Sequence, residues 1–257
     1  MPIHPTAVVD KHAELDASVE VGPFAVIGPK VKIGRGTRVG AHAVIEGDTT
    51  IGQNNHIFQF AALGAIPQDQ KYAGEATRLI IGDHNQIREF ATVHLGTAGG
   101  GGVTRVGNHC LLMANSHVAH DVQLGDACIL ANSTALAGHV AVEDRVIFGG
   151  LSAVHQFTRI GRLAFISGGA MVTQDVPPYV TVQGDRAEVV GINTVGLTRA
   201  HFKDEQQARV KNAFKILYRS KLGFREAIAH VRAEHGGHEE IDHLVGFLEN
   251  SERGIAR

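Results

Sequence analysis

Tryptophan is absent from this chain, and aromatic residues make up only 5% of its 257 positions. With 44% apolar residues the core must therefore be aliphatic, which suits thin regular layers better than an irregular globule. There are two cysteines, Cys110 and Cys128, with no C-x-x-C or comparable spacing, so neither a disulfide framework nor a thiolate metal site is legible. A net charge of -2 excludes the broad positive field that nucleic-acid or membrane-surface binding needs. No apolar run approaches a membrane span, and "MPIHPTAVVD" has no basic stretch leading into an apolar one. These absences predict a cytoplasmic protein with reduced thiols, no nucleic-acid partner and no membrane insertion.

What the sequence does contain is a period. Stepping by six from Ile3 meets an aliphatic residue at every position through Leu63, eleven in succession. The phase fails at Asp69 and Glu75, returns at Ile81, Ile87 and Val93, then restarts one residue out of step at Val106. Twelve apolar positions follow, ending at Val172. Two residues before each aliphatic sits a small or β-branched residue, such as Ala25, Val31 or Ala43, and the residue after it is often glycine. Each hexad thus offers two inward side chains at strand spacing and a residue that permits a turn. Three such strands close a triangular coil of eighteen residues, and stacked coils form a parallel β-helix. A β-sandwich would not hold a fixed period of six. The period is silent on handedness, and the rule for parallel crossovers favours a right-handed path.

Residues 64–80, "GAIPQDQKYAGEATRLI", and 94–105, "HLGTAGGGGVTR", interrupt the repeat. The first carries Asp69 and Lys71. The second carries Gly99 to Gly102, which could cradle a phosphate, although without a P-loop lysine flexibility is the simpler role. From about Arg199 the periodicity becomes helical, and three helices are expected in a small domain that covers one end of the prism. The domain boundary falls at 190/191. Between Lys203 and Arg225 seven basic residues face two acidic ones, which suits a solvated helix face or an acidic protein partner.

The eighteen-residue coil also serves as a ruler. It stacks His120 under Gly138 and Gly138 under Gln156, with His117, His139 and His155 beside them. The same ruler stacks Cys110 with Cys128 as buried, inert thiols. Four histidines and a glutamine over three coils can be a metal site, an acid–base site or a structural stack. Metal is disfavoured because the H-x4-H spacing of the γ-class carbonic anhydrases, which share such a prism, occurs only in the tail at His230/His235 and His238/His243. Acid–base chemistry fits a histidine that titrates near neutrality, with Gly138 positioned to let a backbone N–H approach an oxyanion.

The segments "GPFAVIG", "QDQKYAGE", "LLMANSHVAHD", "ILANSTALAGHV", "AVHQF", "QDVPPYV" and "YRS" resemble one family along nearly the whole chain: the UDP-N-acetylglucosamine O-acyltransferases that begin lipid A synthesis. The resemblance implies a left-handed prism, a homotrimer with sites between subunits, and no metal or nucleotide cofactor. The implied reaction moves a 3-hydroxyacyl chain from acyl carrier protein to the glucosamine 3-hydroxyl. His120 matches the general base and Gly138 the oxyanion donor. Asp121 matches a residue that orients His120, although neighbours on a strand point to opposite faces. Asp69 and Lys71 match contacts to sugar and phosphates. His117, His139, Gln156 and Asn193 match substrate contacts, His155 and Arg199 line the site, and Gly168 lies where bulk limits acyl length. Val195 and Ala200 depart from a common glutamate and arginine near the nucleotide, and Arg186 replaces a histidine near the acyl groove. The alternatives are an enzyme acting on a 3-amino UDP-sugar, a γ-class carbonic-anhydrase-like metalloprotein, the later N-acyltransferase of the same pathway, and a non-catalytic binding solenoid. The N-acyltransferase carries an extra N-terminal domain for which the hexad at Ile3 leaves no room.

Overall fold

A computed structural model describes residues 3–257. Short parallel strands, most of them two residues long, stack into three faces of a triangular prism. The first face runs from Val8–Val9 to Met171–Val172 in nine strands, and the second from Glu14–Leu15 to Arg159–Ile160 in eight. The third runs from Glu20–Val21 to Val180–Gln183 and is closed by the antiparallel strand Glu188–Ile192, ten strands in all. That last strand crosses residue 190.

The register follows the period. Val9 pairs with Ile27 and Ile27 with Ile45, while Leu112 pairs with Leu130 and Leu130 with Phe148. The aliphatics of each hexad and the small residues before them fill the prism: Ile27, Ile45, Leu63, Ala25, Ala43 and Ala61 are at most 1% exposed. Burying each Ile or Leu contributes about 1.5–3 kcal/mol.

One expectation about the turns changes. Gly28, Gly34, Gly40, Gly52, Gly82, Gly107, Gly125 and Gly161, which follow the aliphatics, do not adopt positive φ, unlike Gly64 at the start of the first insertion (φ 80). They serve close stacking instead: a Cβ on Gly40 would lie 2.6 Å from the Gln59 backbone nitrogen in the next coil. The left-handed turn residue is mostly not glycine, as at Phe24 (φ 57), His42 (φ 56), Asp121 (φ 62) and His139 (φ 62). Two-residue strands leave each corner to turn tightly, so the left-handed conformation is imposed at nearly every corner.

The two interruptions leave the prism at the same corner, between the first and second faces. Ala62 pairs with Thr92, thirty positions on, and Thr92 with His117, twenty-five on, where the other coils of the first face take eighteen. Twelve extra residues are two whole hexads, so the phase survives the first insertion. Seven extra residues are one hexad and one residue, so the phase slips by one at the second. The unpaired segments are shorter than the broken periodicity suggests, because Arg78–Ile81 pairs with Asp48–Ile51 and Val103–Val106.

The tail forms α1 (Thr194–Arg199), α2 (Asp204–Arg219), α3 (Phe224–His235) and α4 (Glu239–Glu249). The last three match the expected helices, and α1 is an addition too short to show a period. Phe214 of α2 and Ala256 join the prism core near Val180 and Val182, covering that end, whereas Ile3 at the other end is 42% exposed. Arg209 Nε donates to Glu240 Oε1 at 2.6 Å and pins α2 to α4. His243 Nε2 lies 2.9 Å from Glu143 Oε2, which ties α4 to the prism. Among the described residues no helix is long and apolar enough to cross a membrane.

Candidate active site

The corner that carries both insertions also carries the histidines. His117 opens its strand on the first face, and His120 follows at the corner. His120 Nδ1 lies 2.8 Å from Asp121 Oδ2. The strand rule fails here because Asp121 is not on a strand. It occupies the left-handed turn position, φ 62, which swings its side chain to the side of His120. The Asp121 side chain is 1% exposed and that of His120 13%, so the pair is shielded from water. With Nδ1–H donated to the carboxylate, the Nε2 lone pair is left free, and Nε2 has no hydrogen-bond partner among the described residues.

Gly138 lies against the His120 ring. A Cβ there would sit 2.5 Å from Cε1 and 2.6 Å from Nε2, so any larger residue displaces the imidazole. His139 meets the His120 ring edge-on, with centroids 5.0 Å apart, and stacks on Phe157 at 4.4 Å. Burial depresses the His139 pKa against the opposing pull of Asp121 and Asp69. His117 Nδ1 is held 2.7 Å from Thr92 Oγ1, and burial with the nearby His120 lowers its pKa. Below it lies His94, a residue the ruler missed because the coil between them has twenty-five positions. His94 is 5% exposed, its Nδ1 has no partner among the described residues, and burial drives its pKa down to about 4, with the His117 and His120 charges adding to the effect.

His120, Asp121 and His139 bring ligating atoms within 4.8 Å of one another, a grouping that could hold a metal ion. Their chemistry does not fit one. Asp121 Oδ1 accepts the Thr97 N–H at 2.8 Å, and Oδ2 accepts both the Thr97 hydroxyl at 2.6 Å and His120. A carboxylate so engaged by donors has little left for a cation.

The remaining expected residues are dispersed. His155 and Gln156 stand exposed at the same corner, and His155 Nδ1 meets the Arg253 guanidinium at 3.1 Å instead of another histidine. Arg186 lines the groove beside them. Asp69 and Lys71 lie on the first insertion, where Asp69 Oδ1 accepts the Lys71 N–H at 3.0 Å and the lysine side chain is exposed. Asn193 and Arg199 are elsewhere, lining a cavity of about 450 Å³ against the third face with Ile147, Phe165, Val195 and Ala200. The Asn193 side chain accepts from Gly196 N–H and donates to the Leu163 carbonyl, capping α1 and tying it to the prism. Gly168 lies at the corner between the third and first faces, a coil above Gly150. Within one chain, this apolar cavity and the histidine cluster are thus on different sides. Cys110 and Cys128 are buried, and their thiols donate to the Gly125 and Glu143 carbonyls at 3.2 Å, as inert thiols would.

Comparison with known proteins identifies the family. Residues 12–47 and 104–138 match the bacterial transferase hexapeptide repeats, and residues 175–256 match domain 2 of the UDP-N-acetylglucosamine O-acyltransferases. The acyl-[acyl-carrier-protein]–UDP-N-acetylglucosamine O-acyltransferase of Myxococcus xanthus is 62% identical, covering 99% of both chains. The enzyme of that name from Anaeromyxobacter dehalogenans is 59% identical over 100% of both. Among solved structures, LpxA from Acinetobacter baumannii superposes with a TM-score of 0.97 at 43% identity, covering 100% of both chains. UDP-N-acetylglucosamine O-acyltransferase from Moraxella catarrhalis gives 0.96 at 41%, also over 100% of both. The prism is accordingly left-handed, against the crossover rule. With its period, its helical cap and its full-length relatives, this chain belongs to the acyl-[acyl-carrier-protein]–UDP-N-acetylglucosamine O-acyltransferase family.

Proposed function

We propose that the chain opens lipid A biosynthesis by moving a 3-hydroxyacyl group from acyl carrier protein to the 3-hydroxyl of UDP-N-acetylglucosamine. The observation that carries the mechanism is the His120–Asp121 pair seated against Gly138. His120 Nε2 takes the hydroxyl proton as the sugar oxygen attacks the thioester carbon. The resulting oxyanion forms beside the Gly138 N–H, which has no partner among the described residues. Collapse breaks the C–S bond, and the imidazolium returns its proton to the departing thiolate. Asp121 holds the tautomer and stabilises the imidazolium, as in a triad. No cofactor enters this sequence of steps.

Asp69 and Lys71 bind sugar and phosphates, while His117, His139 and Gln156 flank the acceptor. Asn193 is a further substrate contact, and His155 and Arg199 line the remainder. Val195 and Ala200, in the cavity with Arg199, give this chain fewer polar contacts to the nucleotide than a glutamate and arginine would. Gly168 leaves space for a long acyl chain.

The reading requires a homotrimer, and the surface supports one. The outward residues of the first face include Val8, Val26, Val44, Ala135, Ala153 and Met171, with Val8 62% exposed. Those of the second include Glu14, Lys32, Arg105, Gln123 and Arg159. An apolar face beside a charged one calls for a covering partner. Packing three first faces together would carry one subunit's histidine corner toward the Gly168 corner of the next. The basic α2 suits the acidic carrier protein, and soluble substrates suit the cytoplasm.

The test is acyl transfer from 3-hydroxyacyl carrier protein to UDP-N-acetylglucosamine with chelator present. Turnover supports the reaction without metal. Turnover with the 3-amino sugar alone would reassign the acceptor, and failure with both would sink the enzyme reading.

A further inference from the structure

The glycine-rich insertion of residues 95–102 is left without a part in the reaction above, yet it folds directly over the Asp121 carboxylate. The Thr97 N–H donates to Oδ1 at 2.8 Å and the Thr97 hydroxyl to Oδ2 at 2.6 Å, the oxygen that faces His120 Nδ1. Thr97 is 5% exposed and Asp121 4%. On the other side, Asp121 donates its own N–H to Thr104 Oγ1 at 2.8 Å. The glycines make this approach possible. A Cβ on Gly100 would overlap the carboxylate, and one on Gly96 would lie 2.9 Å from Oδ1. A merely flexible loop needs none of these contacts. The insertion is also fastened to its neighbour: Glu75 accepts the Ala98 N–H at 3.2 Å and the Ala73 N–H at 2.8 Å. The loop bearing Asp69 and Lys71 and the carboxylate behind His120 are therefore parts of one hydrogen-bonded strap.

We propose that Thr97 is a positioning residue for acyl transfer, its hydroxyl and amide holding the Asp121 carboxylate aligned on His120 Nδ1 so that Nε2 remains the nitrogen that faces the substrate. Buried donors aimed at a carboxylate favour its charged form and fix its direction. The proposal rests on the reading of His120 as general base.

Thr97→Val keeps the shape and the amide but deletes the hydroxyl. The expected result is a fall in kcat of about tenfold, the usual worth of a hydrogen bond to a charged group. KM for the UDP-sugar should be unchanged. The acid limb of kcat/KM should move to higher pH, because a carboxylate relieved of one donor stabilises the imidazolium more strongly. The other titratable groups around His120 are His139, His117 and His94, with Asp69 acting through His139, and the substitution alters none of them. Thr97→Ser should restore both kcat and the limb. Thr97→Ala carries the same test should the valine variant not fold.

Carbon-13 NMR of labelled histidine, with His120 assigned through His120→Gln, follows the same upward shift without turnover. A folded Thr97→Val with wild-type kcat, limb and histidine titration overturns the proposal. A wild type that does not acylate the UDP-sugar, but whose His120 titration moves on Thr97→Val, removes the reaction and leaves the coupling standing.

Discussion

Two regions of the prism obey the same hexad and differ in how they use it. From Val8 to Leu63 each coil of the first face takes eighteen residues, and at its corner with the third face aromatic ring stacks on aromatic ring: Phe24 on His42, His42 on Phe60. At the corner between the first and second faces the next two coils take thirty and twenty-five. There the stack holds unlike groups, His120 against Gly138 and Asp121 under the Thr97 insertion. The regular region shows what the period alone builds, which is a rigid support. The irregular corner shows what that support can carry. Because the extra residues all leave from one corner, the strands on either side keep their register and hold His117, His120 and His139 in place.

The sharpest way to break this contrast is His120→Ala. Activity should fall by at least the roughly 10²–10⁴-fold that a general base supplies, with the circular-dichroism spectrum of the prism retained. Near wild-type turnover would send the base assignment elsewhere. Next comes a pair of glycine substitutions. Gly138→Ala keeps its N–H but places a methyl on the His120 ring, and should lower kcat by roughly 10²-fold, the lower end of what a general base supplies. Gly28→Ala, in the regular region, meets its nearest atom, Glu46 Cα, at 3.3 Å and should leave kcat unchanged. Equal losses in the two would show that the corner is not special. Lys71→Ala should raise KM for the UDP-sugar about tenfold at constant kcat, as a lost charge-assisted contact would. A fall in kcat alone would place Lys71 in the chemistry.

A separate effect falls on stability against pH and not on turnover. The unfolded chain protonates His94 near its ordinary 6.5, whereas the folded chain resists until about 4. The stability tied to neutral His94 is therefore intact above about pH 6.5 and is lost as pH falls toward 4, an effect on the order of 3 kcal/mol. Tm measured across that window should drop less steeply in His94→Phe. Identical slopes would mean that burial of His94 does not set the acid limit.

Much of the site could be read from spacing. The ruler placed His120, Gly138 and Gln156 on one line because the coils above His120 are uninterrupted. It missed His94 and Thr97, which lie across or inside an insertion, where counting by eighteen has no meaning. It gave the glycines after the aliphatics to turns, when close stacking is what they permit. It set Asp121 on the wrong side of the strand, because the left-handed turn residue cannot be recognised when aspartate, histidine and phenylalanine all take that position.

The sequence by itself determined the prism, its three faces and its helical cap, because a repeated pair of inward side chains has one periodic way to be buried. Its likeness to a family supplied the handedness, which no periodicity encodes. Only the tertiary structure decided which donors surround the Asp121 carboxylate, that His155 meets Arg253, and that Asn193 and Arg199 lie across the molecule from His120. Those contacts join segments far apart in the chain through turn geometry and loop closure, and neither leaves a mark in the period.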